Sequence, residues 1–91
     1  METMRCVVRG RVQGVGFRWF VSRTAADLGV RGTVRNRGDG AVEVVLQTDE
    51  SSHRDALVER IRSGPPGARV EDVECEAVED PPRYTGFQVV G

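Results

Sequence analysis

The segment Gly10-Arg11-Val12-Gln13-Gly14-Val15-Gly16-Phe17-Arg18 concentrates the chemistry this sequence can offer. It runs from an alternating apolar stretch, through a glycine-containing loop, into the start of a helical pattern. Orphan backbone N–H groups converge at such a junction, the helix dipole favours negative charge, and glycines admit a ligand close to the backbone. Arg18, in the first helical turn, opposes that dipole; its position makes electrostatic sense with an oxyanion between the guanidinium and the N–H groups. The other reading is a tight structural turn whose Arg18 reaches solvent. Spacing eliminates the named phosphate motifs. A Walker A loop needs a Lys, and all thirteen basic residues here are Arg. The dinucleotide fingerprint needs a third glycine where Trp19 stands, and a cysteine-dependent phosphatase needs an Arg six positions after Cys6, where Val12 stands. The absence of Lys also excludes Schiff-base chemistry.

Other reactive side chains are few. His53 lies away from the loop, at the start of a second helical pattern, and is expected to face solvent. Cys6 and Cys75 are expected to be free, half-buried thiols, because a domain of this size does not need a disulfide and nothing else suggests export. With His53 they are too few for a dedicated zinc site. Glu71, Glu74, Glu76 and Glu79 read as a charged strand face rather than an acid/base pair.

The elements that position these residues follow from periodicity. Cys6, Val8 and Val12 alternate on one face of a strand; Phe17, Phe20, Val21, Thr24 and Leu28 then recur at helical spacing until Gly29. Val30, Gly32, Val34 and Asn36 alternate, Gly38-Asp39-Gly40 turns, and Val42, Val44 and Leu46 alternate again, which predicts a hairpin. Ser51 and Ser52 offer N-caps for a helix with Leu57, Val58 and Ile61 on its apolar stripe, ended by Gly64-Pro65-Pro66. Val70, Val73 and Cys75 suggest a strand of irregular phase, Asp80-Pro81-Pro82 a loop, and Phe87 to Val90 a short last strand. Strand, helix, strand, strand, helix, strand is the split βαβ order of the ferredoxin-like α+β class, with two helices on one face of a four- to five-stranded antiparallel sheet. That fold hosts many activities and decides none of them.

Ninety-one residues form one domain, 1-91, too short for two cores. No run approaches the roughly 18 to 20 apolar residues that span a bilayer, and Met1 to Arg11 lacks the apolar region of a secretory signal, so a cytoplasmic monomer is expected. The formal net charge of -1 hides an asymmetry: residues 1 to 40 carry eight Arg against three acids, and residues 41 to 91 five Arg against eleven acids. Folding that mixes the halves would make most of these ordinary solvated charges.

Val8-Arg9-Gly10-Arg11-Val12-Gln13-Gly14-Val15-Gly16-Phe17-Arg18 resembles the first motif of the acylphosphatases, small enzymes that hydrolyse carboxyl-phosphate anhydrides. Gly32-Thr33-Val34-Arg35-Asn36-Arg37-Gly38-Asp39-Gly40-Ala41-Val42 resembles the second, at the family's spacing, and Tyr84-Thr85-Gly86-Phe87 resembles the family's ending. Thr33 stands where the family usually has an aromatic and Thr48 where it often has glycine, which bears on packing rather than chemistry. The resemblance implies that Arg18 and the N–H groups of Gln13, Gly14, Val15, Gly16 and Phe17 bind the phosphate, and that Asn36 orients the attacking water. It also implies that no metal or other cofactor is needed and that a phosphate oxygen of the substrate takes the water's proton. Asn36 fits that role, since a polar amide on the Val30, Gly32, Val34 face needs partners and can hold a water in a fixed direction; its plainer reading is a residue flanking the turn at Gly38. An acyl phosphate expels a carboxylate whose conjugate acid has a pKa near ~4, so no general acid is required, and the remaining work is in-line positioning and charge stabilisation.

Two rivals are set against this. RNA-recognition domains share the element order, but they stack bases on aromatics of the central strands, and the five aromatics here (Phe17, Trp19, Phe20, Tyr84, Phe87) fall on the first helix or near the C-terminus. No nucleic-acid partner is expected; the partners implied are a small acyl phosphate and inorganic phosphate as product. The second rival is the acylphosphatase-like domain at the front of larger carbamoyl-transferring maturation proteins, against which a free-standing chain ending at Gly91 favours the single-domain enzyme.

Overall fold

A computed structural model describes all of residues 1–91. The elements are β1 (Glu2–Arg11), α1 (Phe17–Leu28), β2 (Arg31–Asn36), β3 (Val42–Thr48), α2 (Ser51–Ser63), β4 (Arg69–Ala77) and β5 (Phe87–Val89). They form one sheet in the order β4-β1-β3-β2-β5, the ferredoxin-like arrangement that the element order predicts. β1 pairs antiparallel with β3 and β4, and β2 antiparallel with β3; β5 joins β2 in parallel, so the sheet is mixed rather than wholly antiparallel. The direction of β5 follows from its connection. The chain leaves β4 at the far edge, crosses the sheet, and returns along β2.

Alternation sorts the strands into two faces. Cys6, Val8, Val34, Val42, Val44 and Leu46 point to the helix side and meet Phe17, Val21 and Ala25 of α1 and Leu57 and Ile61 of α2 in one buried cluster. On the opposite face Gln47, fully buried, is hydrogen-bonded through both ends of its amide. Its Nε2 donates to Thr3 Oγ1 at 2.9 Å and Pro82 O at 2.9 Å, and its Oε1 accepts the Tyr84 N–H at 3.0 Å. This amide pins the β4–β5 connection across the sheet and so fixes where β5 lands. Gly32 at φ +143° lets β2 pack against β3: a Cβ there would lie 1.8 Å from Val45 O.

Three sequence expectations change. Cys6 and Cys75 are not free thiols: they stand directly opposite each other on β1 and β4, with Cα atoms 4.0 Å apart, and form a disulfide. Direct cross-strand pairing brings the two sulfurs together whatever the loop length between them, a proximity that one-dimensional spacing conceals. Neither Ser51 nor Ser52 caps α2; the cap position is Glu50, without a side-chain bond, and Thr48 Oγ1 instead accepts the Glu50 N–H at 3.1 Å. Glu79 lies beyond the end of β4, outside the strand face formed by Glu71, Glu74 and Glu76. The charged halves interleave, with Arg5 paired to Glu76, Arg54 to Glu2, and Arg35 to Glu43. No helix is long and apolar enough to cross a membrane.

Candidate active site

The β1–α1 loop turns on two left-handed glycines. Gly14 and Gly16 both have φ +76°, on either side of Val15, whose φ is negative. Left-handed backbone costs an ordinary L-residue roughly 1–2 kcal/mol, and alternation of hand is the backbone pattern that can turn successive N–H groups toward one side. None of the N–H groups from Gln13 to Trp19 donates to a backbone carbonyl; the first that does is Phe20, to Gly16 O at 3.0 Å. No acidic residue occupies the first turn of α1 to offset these donors.

The Arg18 side chain is half-buried and takes part in no ion pair or hydrogen bond; seven other arginines also lack a carboxylate partner, but Arg18 alone of them lines the cleft beside the loop. Its charge is therefore un-neutralised beside the free N–H groups. Asn36 ends β2 on the same side. Its backbone N–H donates to Gly91 O at 3.2 Å, and its side-chain Oδ1 is buried with no donor. Such an acceptor costs about 1–3 kcal/mol when left without a donor. A cleft of about 310 Å³ joins them, lined by Val12, Gly14, Gly16, Phe17, Arg18, Trp19, Asn36 and Val89. Arg18 is the one charged residue among these.

The structure thus gathers Gly14, Gly16, Phe17, Arg18 and Asn36 into one cleft, while the side chains of two further loop residues, whose N–H groups are the expected contacts, are engaged elsewhere. Val15 packs its side chain against the hydrophobic core. Gln13 turns its side chain to the β2–β3 hairpin, donating from Nε2 to Arg37 O at 2.9 Å and Ala41 O at 3.0 Å, so the loop and the strand that ends in Asn36 are tied together. Asp39 stiffens that hairpin. The Ala41 N–H bonded to its carboxylate holds the group below the ordinary value of 3.8, with Arg9 and Arg37 adding to the effect against a desolvation cost. Sequence reasoning missed Trp19 and Val89 as cleft residues. Trp19 had a signal, since it falls off the Phe17, Val21, Thr24 stripe; Val89 had none, because its place depends on the parallel docking of β5.

Fold and cleft together define a ferredoxin-like α+β protein with an open, cationic cleft between a glycine loop and the end of a central hairpin. The family profile for acylphosphatases matches residues 4–89. The acylphosphatase of Thermococcus kodakarensis is 50% identical over 93 residues, covering 100% of both chains. The crystal structure of acylphosphatase from Bacillus subtilis superposes with a TM-score of 0.94 at 35% identity, over 100% of each chain. Full-length HypF, in a phosphate- and nucleotide-bound form, matches 99% of this chain with 12% of its own length, at a TM-score of 0.79 and 29% identity. The chain belongs to the acylphosphatase family, and its reaction is the hydrolysis of acyl phosphates.

Proposed function

We propose that the protein hydrolyses acyl phosphates without a metal ion, as a cytoplasmic monomer. In this reading Arg18 and the N–H groups of Gln13 to Phe17 hold the phosphate, and Asn36 orients the attacking water. The observation that carries the assignment is the convergence, in one cleft, of an arginine without an ion-pair partner, a run of free N–H donors and the polar side chain of Asn36. The three groups match three demands of the reaction. Arg18 and the loop N–H groups neutralise the equatorial oxygens as charge develops on them. The side-chain amide of Asn36, at the cleft wall, hydrogen-bonds the water and so aims an oxygen lone pair at phosphorus. The water oxygen bonds to phosphorus while the bond from phosphorus to the acyl oxygen breaks, its electron pair leaving on the carboxylate. The water's proton passes to a phosphate oxygen, and the weakly basic leaving group needs none.

A metal is superfluous in this scheme because Arg18 and the N–H groups supply the positive charge. Purified protein is expected to hydrolyse benzoyl phosphate at an unchanged rate with excess chelator. Loss of turnover on chelation, restored by a divalent ion, would remove the metal-independent reading.

A further inference from the structure

The cleft is larger than its phosphate end requires. At about 30 Å³ per water, 310 Å³ holds roughly ten, and a tetrahedral phosphate against the loop N–H groups fills only part of it. The remaining wall is apolar. Trp19 is 63% exposed and Val89 47% exposed, and they come from different elements, α1 and β5, to line the same opening. Core packing does not account for Trp19, since α1 buries Phe17, Val21, Thr24 and Ala25 instead. The indole is nonetheless held: the Arg23 guanidinium lies 5.2 Å from its ring centroid. Helical side chains lean toward the N-terminus, so Arg23, one turn further on, braces Trp19 from the side away from the glycine loop. Val89 is held in turn, because β5 pairs with β2 and the Val90 N–H donates to Val34 O at 2.9 Å.

We propose that Trp19 and Val89 form the acyl-group subsite and that this enzyme prefers acyl phosphates with an aromatic acyl group over small aliphatic ones. The inference rests on the phosphate site assigned to Arg18 and the loop, and deepens it. Trp19 and Arg18 line the same cleft, and the indole is already held by Arg23, so a flat ring attached through the carboxyl carbon of a bound acyl phosphate meets the indole with little ordering of either partner.

The test compares kcat/KM for benzoyl phosphate and acetyl phosphate. Trp19→Ala should lower the benzoyl-to-acetyl ratio about fivefold to tenfold, and Trp19→Phe should restore most of it. Trp19 is the sole tryptophan, so its fluorescence reports the subsite directly: benzoylphosphonate, which cannot be hydrolysed, should perturb it more than inorganic phosphate does. Turnover of both substrates with a ratio unchanged in Trp19→Ala would overturn the acyl subsite alone. Turnover of neither by the wild-type protein would overturn the phosphate-site assignment beneath it. A concentration-dependent dimer that disappears in Trp19→Ala, with the ratio unchanged, would reassign the exposed indole to self-association and also overturn the proposal.

Discussion

In the proposed assignment Arg18 and Asn36 touch different parts of the reacting group, so their removal should separate binding from rate. Arg18→Ala deletes a charge-assisted bidentate contact worth about 1.5–3 kcal/mol. Phosphate affinity should fall tenfold or more and kcat by about 10²- to 10³-fold. Asn36→Ala removes only the amide that orients the water; kcat should fall by about 10²-fold while inorganic phosphate, measured as a competitive inhibitor, binds within about twofold of wild type. Phosphate binding that vanishes in Asn36→Ala would contradict this division. Both residues stood out in the sequence as candidates, beside the plainer readings of a solvent-reaching arginine and a turn-flanking asparagine: a cation at a helix N-terminus is an electrostatic anomaly, and an amide in phase with Gly32 and Val34 is a polar group in need of a partner. Trp19 was overlooked although it lies off the Phe17, Val21, Thr24 stripe, because an aromatic in a helix usually belongs to the core, and here the core is closed by Phe17 and Val21.

At the scale of elements, the hairpin turn between β2 and β3 does more than reverse the chain. Gln13 binds two of its carbonyls, and Asp39 binds Ala41 from within it and pairs with Arg9 and Arg37. Asp39 ionises more readily in the folded chain than in the unfolded one. Its stabilising contribution is therefore complete above the ordinary carboxylate value of 3.8 and is lost as pH falls below it, through the lowered folded value. Thermal unfolding of Asp39→Asn between about pH 5 and pH 2 should show a shallower acid decline than wild type, with the two curves running parallel above that window. An acid limb identical in both proteins would show that Asp39 carries none of it. The turn was readable from Gly38-Asp39-Gly40, whereas the Gln13 clamp was not, because nothing local links residue 13 to carbonyls at 37 and 41. The missing serine cap on α2 has a similar origin: Ser51 and Ser52 already lie within the helix, and the residue that binds the entering chain is Thr48, at the end of β3.

Across the whole molecule, the Cys6–Cys75 bond closes a loop of 69 residues between a central strand and the edge strand β4. By chain entropy a closure of that length restricts the unfolded state by up to about 4 kcal/mol. Reduction, or Cys75→Ser, should lower the urea midpoint while leaving turnover measurable, because neither sulfur approaches the cleft. A midpoint unchanged by reductant would mean that the thiols carry no such constraint. Within a reducing cytoplasm the working stability would be that of the dithiol form. The pairing was invisible in one dimension for the same reason that β5's direction was: both depend on which strands the sheet makes neighbours. β1 has the widest reach of all, since Val8 faces Val42 on one side and Val73 on the other, and the glycine loop hangs from its end. Long closures form late and slowly. Until β4 docks, β1 is paired on one side only, so the glycine loop at its end takes its full anchorage from residues more than fifty positions further along the chain.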